Sequence, residues 1–188
     1  MRKLFITAAV LITGFTINTA SAQVVESTTG TTILSVTLNT VQSITVNNPT
    51  VGLNFATSAD YLNGKTFKQP NHLTFSSTSG FFITATAATN LTGGTGDDIE
   101  ISTVTITPEA GNIGSLPTGV FTPNPLEVAL PVTIFTTGPG HIAGGTPTGG
   151  TTEASLNIDY TAKTKALGDY LNRKGKFSST ITYTIAPN

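Results

Sequence analysis

From Ile33 onward, apolar and polar residues alternate with a period of two, the pattern of strands with one face on a core. Leu34, Val36 and Leu38 share one face, with Ser35, Thr37 and Asn39 on the other. The phase slips around Thr40-Val41-Gln42-Ser43, which predicts a bulge. Ile44 and Val46 continue the pattern to a stop at Asn47-Asn48-Pro49. Val51, Leu53 and Phe55 form a second run. Asp60 to Asn71 reads as a connection that turns at Asn63-Gly64. Residues 72–88 read as a hairpin, with Leu73 and Phe75 on one arm, Phe81 to Ala88 on the other and Ser79-Gly80 between them. Ile99, Ile101, Val104 and Ile106 mark a strand that ends at Pro108. Leu126 to Thr137 is another, where Pro131 argues for an edge or a bulge. Ala154, Leu156, Ile158 and Tyr160 alternate cleanly, and Ile181, Tyr183 and Ile185 supply the last strand.

These runs amount to about eight strands with no internal repeat, which predicts an all-β chain folded as a two-sheet Greek-key sandwich. Two long connections, Glu109–Pro125 and Gly138–Thr152, interrupt them. The one helix candidate is Lys165 to Lys174, where Leu167, Tyr170 and Leu171 fall at helical spacing and Gly175 is placed to cap.

The first 22 residues break this pattern. Met1-Arg2-Lys3 is basic, Leu4 to Phe15 is apolar, and Ala20-Ser21-Ala22 is a small-residue cleavage site, so the segment reads as a signal peptide removed before Gln23. The apolar run is too short to span a bilayer. Residues 23–188 then form one domain, exported to the periplasm, the cell surface or the medium. The chain has no cysteine, so packing and strand pairing hold it without disulfides, and thiol chemistry and Cys-ligated metals are excluded. About one residue in five is threonine and charged residues are scarce, a composition suited to pleated, half-buried strands. Without Arg2 and Lys3, seven basic residues face ten acidic ones, which gives no footprint for nucleic acid.

The ordering of these segments carries a resemblance. An alternating N-terminal strand is followed by Leu73-Thr74-Phe75-Ser76 with Phe81-Phe82-Ile83-Thr84-Ala85, then by Leu156-Asn157-Ile158-Asp159-Tyr160-Thr161-Ala162. The chain closes on Gly175, Phe177, Ile181, Tyr183 and Ile185 in a G-x-F-x-x-x-I-x-Y-x-I run. This resembles the exported Ig-like β-sandwich proteins of the DUF4402 and spore-coat-U-like pilin-subunit type. The resemblance implies an Ig-like sandwich with a structural or adhesive role and carries over no catalytic residue. The Cys pair common among pilin-like members is missing here.

Candidate chemistry is thin. Asp97, Asp98 and Glu100 are the densest carboxylates, but they lack the spacing of a calcium loop and read as solvated. His72 and His141 are the only histidines and read as unpaired with acidic groups or each other. No Gly-x-Ser-x-Gly elbow is present, and Glu127, Glu153 and Asp159 form no distinctive pair for glycoside hydrolysis. The expectation is therefore no catalytic activity, no cofactor and no metal. Lys163, Lys165, Arg173, Lys174 and Lys176 concentrate five basic residues in fourteen positions, either an anion-binding patch or solvated lysines that guard a strand edge. Tyr61 and Tyr170 lie in connections and are candidate sugar platforms, whereas Tyr160 and Tyr183 read as core.

Two roles follow. One is a cell-surface or fimbria-like structural or adhesion protein whose partners are copies of itself or another envelope protein. In that role Leu34, Val36 and Leu38 are a candidate donor strand for a neighbour's groove; the favoured alternative pairs the same strand within its own sheet. The other is a soluble binding module for a glycan or an envelope component.

Overall fold

The computed structural model describes residues 31–138, 153–163 and 169–188. The expected signal peptide, His141 and Lys165 lie outside them. The chain divides into two units, Met1–Thr37 and Leu38–Asn188. In the described part of the first, residues 31–37, no strand forms, and Ile33, Leu34 and Val36 are exposed. The alternation that predicts a strand from Ile33 is present in the sequence, but a strand exists only where its N–H and C=O groups join a ladder.

The second unit is a sandwich of two antiparallel sheets. Its strands in chain order are β1 (Gln42–Val46), β2 (Lys65–Ser77), β3 (Phe81–Ala87), β4 (Val104–Ala110), β5 (Gly119–Phe121), β6 (Asn124–Pro125), β7 (Val132–Thr137), β8 (Ala154–Ala162) and β9 (Ile181–Pro187). One sheet runs β1-β2-β8-β4-β6 and the other β5-β7-β3-β9. The all-β sandwich expected from the strand pattern is thus the observed fold.

The period-two pattern becomes burial. Along β8 the residues Ala154, Leu156, Ile158, Tyr160 and Ala162 point into the core, as do Phe81, Ile83, Ala85 and Ala87 of β3. An aromatic contact joins the layers, Phe75 of β2 meeting Phe81 of β3 at 5.4 Å between ring centroids, and within the second sheet Phe81 meets Phe135 of β7 at 5.9 Å. Rings at such separations pack tilted rather than face to face.

Several local readings change. The turn at Ser79-Gly80 does not close a hairpin; it carries the chain between sheets, since β2 pairs β1 and β8 while β3 pairs β7 and β9. Both arms carry a buried phenylalanine, and the crossing sets Phe75 and Phe81 against each other from opposite layers. The connection expected over Asp60–Asn71 is a helix followed by half a strand. Helix α1 (Ser58–Asn63) has a capping box in which the Thr57 side chain and Asp60 satisfy each other's backbone donors, and it ends at Gly64 with φ +81°. The Lys65 ammonium and the N–H groups of Ala56 and Thr57 hold the Asp60 carboxyl well below the usual carboxylate range.

β2 then runs from Lys65 with a bulge between Gln69 and Leu73, where Pro70 cannot donate and Asn71 takes φ +47°. The strand expected through Ile99 and Ile101 begins later: Ile101–Thr103 is a 3-10 turn and β4 starts at Val104. Likewise β7 starts just after Pro131, and the expected loop Glu109–Pro125 contains the short strands β5 and β6. Of the helix expected over Lys165–Lys174, residues 169–173 are bend, turn and coil, Lys174 forms an isolated bridge with Thr95, and the preceding four lie outside the described residues.

The two kinds of apolar residue respond differently to truncation. Phe81→Ala empties a fully buried site and lowers the unfolding free energy by about 3–5 kcal/mol. Leu34→Ala, at an exposed position, changes it by less than about 0.5 kcal/mol. Urea denaturation of the monomer measures both.

Candidate functional site

The sandwich is open along one side. β1 ends the first sheet and β9 ends the second, and the two lie against each other across the layers. After β1 the chain kinks at Asn48, whose φ is +52°, and residues 49–56 continue past the core without a strand partner. Val51, Leu53 and Phe55 still pack against the core while Gly52 and Asn54 are exposed. The second alternating run of the sequence is therefore strand-like in its side chains and lacks only the ladder.

Between this segment and residues 173–183 lies a groove with a volume of about 850 Å3. Its walls include Leu53, Phe55, Phe177 and Ile181, and its floor reaches Tyr160 and Tyr183. Gly94 makes room for one wall: a Cβ there would stand 2.2 Å from the Phe177 ring.

The backbone along the groove has a definite phase. Asn188 N–H donates to Gly80 C=O and Ala88 N–H to Thr180 C=O, so the even-numbered residues of β9 face β3. Upstream, Lys174 and Ser178 exchange hydrogen bonds with Thr95 and Thr92. The odd-numbered residues Ile181, Tyr183 and Ile185 therefore turn their N–H and C=O groups away from β3, toward the free edge. On β1, Thr78 N–H bonds Val41 C=O and Asn47 N–H bonds His72 C=O, which leaves Gln42, Ile44 and Val46 with outward backbone groups. The free edge of β9 thus borders the groove, and β1 reaches it at Val46.

At its Tyr183 end the groove meets a buried polar chain. His72 is 1% exposed, and its Nε2 lies 2.8 Å from the Tyr160 hydroxyl, which lies 2.5 Å from the Tyr183 hydroxyl. His72 Nδ1 has no hydrogen-bond partner and is the only such buried side-chain atom among the described residues. Desolvation lowers the His72 pKa below its ordinary value, and the Asn47 backbone beside the ring opposes that shift. Burial pushes the Tyr160 hydroxyl up to about 12, against the opposing Tyr183 hydrogen bond. Tyr183 is raised further, by burial and by Tyr160.

The residues singled out in the sequence fall around this groove in different states. Tyr170 is buried, stacked on Phe55 at 4.9 Å, and donates its hydroxyl to Thr103. Tyr61 is half-buried, its ring tilted against Phe55 at 5.4 Å. The Arg173 guanidinium donates to the backbone carbonyls of Asp97, Asp98 and Asp169, so this cation ties two loops together. Lys174 and Lys176 are exposed on the rim, and Lys163 is exposed beyond β8. The basic run is therefore split between a structural clamp and solvated lysines.

Among the described residues, no three His, Asp or Glu side chains come together to hold a metal ion, and no helix is long and apolar enough to cross a membrane. Asp159 is held by Lys68 at 2.6 Å. Sequence reasoning missed the groove itself, although the unpartnered run Val51-Leu53-Phe55 and the isolated His72 were its visible signs. Comparison with known proteins finds no family model and no curated protein that matches this chain.

The buried imidazole makes stability depend on pH. Its pKa is lower in the folded state, so the unfolded chain takes up the proton first. Stability is full above about pH 6.5 and falls as the pH drops below it. Between about pH 8 and about pH 5 the urea midpoint of the wild type falls further than that of His72→Gln; equal falls would clear His72 of this role. At the alkaline end, Tyr160 and Tyr183 resist ionisation in the fold, so stability declines above about pH 10 and their tyrosinate absorbance appears with unfolding.

Proposed function

We propose that this protein is an exported, non-catalytic structural or adhesion subunit that assembles with copies of itself by β-strand addition. The observation that carries this reading is the pairing of an open groove with an unused strand. The groove runs along the free backbone edge of β9 and reaches the end of β1 at Val46, and Leu34, Val36 and Leu38 stand exposed in a segment with strand alternation and no ladder. A free edge is a template for another chain, and an inserted strand supplies both main-chain hydrogen bonds and side chains for the pockets between them. Burying Leu34, Val36 and Leu38 in a neighbour would contribute about 1.5–3 kcal/mol each. Export and kinship with the DUF4402 and spore-coat-U-like proteins belong to the same proposal; they rest on the N-terminal sequence and on the closing Gly175-to-Ile185 motif.

The glycan-binding alternative has less support. Tyr170 is committed to Phe55 and Thr103, and Arg173 to backbone carbonyls, which leaves Tyr61, Lys174 and Lys176 as its contact surface.

Light scattering on a sizing column tests the reading with the chain from Gln23 beside the chain from Thr40. The expected result is heat-resistant multimers of the longer chain and a folded monomer of the shorter one. A stable monomer of the longer chain, with a shorter one that aggregates, would mean that the segment completes its own sandwich.

A further inference from the structure

We infer that His72, Tyr160 and Tyr183 form an acid-sensitive latch on the open side of the sandwich: a proton taken up at His72 releases β1 and β9 before the rest of the fold gives way. The three residues join both strands that border that side. β9 enters through Tyr183, whose ring packs edge-on to the imidazole at 5.9 Å and whose hydroxyl meets that of Tyr160 on β8. β1 is tied in just past its end, where Asn47 N–H donates to the His72 carbonyl at 2.7 Å. Each of the two strands has a single ladder, β1 with β2 and β9 with β3. Strands held on one side open at lower cost than central ones, so a penalty placed where both are tied falls on them first.

A count of protons gives the penalty. In the neutral ring with its hydrogen on Nδ1, Nε2 accepts from Tyr160 and Tyr160 accepts from Tyr183, so both hydroxyl protons have acceptors. An imidazolium accepts at neither nitrogen. Its Nε2–H points at the Tyr160 oxygen, Tyr160 turns its proton to Tyr183, and the Tyr183 proton has no further hydrogen-bond partner among the described residues. A buried donor left unpaired is costly, and here it comes with a buried charge. The ionisable groups around the ring offer no compensation. β8 and β9 present the two tyrosines and β1 presents none. Lys68 of β2 is exposed and paired with Asp159, and Arg173, Lys174 and Lys176 along the groove carry the same sign as the imidazolium. Opening lets the ring ionise in water at its ordinary pKa, so it is favoured as the pH falls below about 6.5. Resting on the strand-addition reading, the same latch sets the acidity at which a groove takes up or releases its strand.

Hydrogen exchange followed by mass spectrometry on the chain from Gln23, corrected for the intrinsic effect of pH on amide exchange, tests the latch. β1 and β9 are expected to be less protected than β3 and β8, and their protection to fall by up to about tenfold between about pH 7.5 and about pH 5.5. His72→Gln removes that fall from both edges. Tyr183→Phe cuts β9 out of the chain, so its fall disappears while that of β1 remains, a split that a general loss of stability does not produce. Edges protected as strongly as the core, edges that ignore the pH step, or a fall that survives His72→Gln overturn the latch. In multimers, the mixing of differently labelled subunits speeds up over the same step in the wild type and not in His72→Gln. Mixing at one rate at both pH values, with the edges still responding, overturns the role in assembly alone. Absence of multimers overturns strand addition, and exchange in the monomer still decides the latch.

Discussion

Backbone hydrogen bonding at sheet edges is the constraint on which this structure turns. Within each sheet the N–H and C=O groups find partners, and the order of strands leaves β1 and β9 as the edges of one open side. Because ladder bonds alternate in direction, the residues that point their side chains into the groove are the same ones that turn their backbone groups to the free edge. Ile181 and Tyr183 therefore offer apolar contact and hydrogen bonding together. A side of the sandwich built that way is suited to receiving a strand, whatever its source.

The core supports this opening without filling it. Phe75 and Phe81 join the sheets away from the groove, with Phe135 beside Phe81, and the packing there is continuous. Near the groove the joint is polar: two tyrosine hydroxyls and an imidazole in a line, shielded from water and short of one partner. Such a chain rigidifies where it is satisfied and exposes a defect where it is not. The Arg173 clamp on the carbonyls of Asp97 and Asp98 works in the same direction, fixing the wall along which an added strand would lie.

Not every alternating run in this chain becomes a strand. Residues 42–46, 65–77 and 154–162 pair with one another, whereas Val51-Leu53-Phe55 keeps the burial of a strand with no ladder, and Leu34-Val36-Leu38 keeps only the pattern. Alternation reports which face a segment would bury. It does not report whether a neighbour is there to pair with, since pairing depends on residues tens of positions away.

Taken alone, the sequence determined the fold class, because period-two patterning, abundant threonine and missing cysteines leave a β-sandwich held by packing. It also marked Tyr160 and Tyr183 as core from the apolar residues that share their faces. Local chemistry set the stops at Asn47-Asn48-Pro49 and the break at Pro131, and the Thr57-x-x-Asp60 box was present for the helix that the pattern passed over. Only the tertiary structure decided which sheet each strand joins, sending β2 and β3 to opposite layers across a turn that locally looks like a hairpin. It alone placed His72 beside two tyrosines 88 and 111 residues further along the chain and left β1 and β9 as facing edges. Those outcomes depend on contacts between distant segments, and periodicity, which is a local property, carries no information about them.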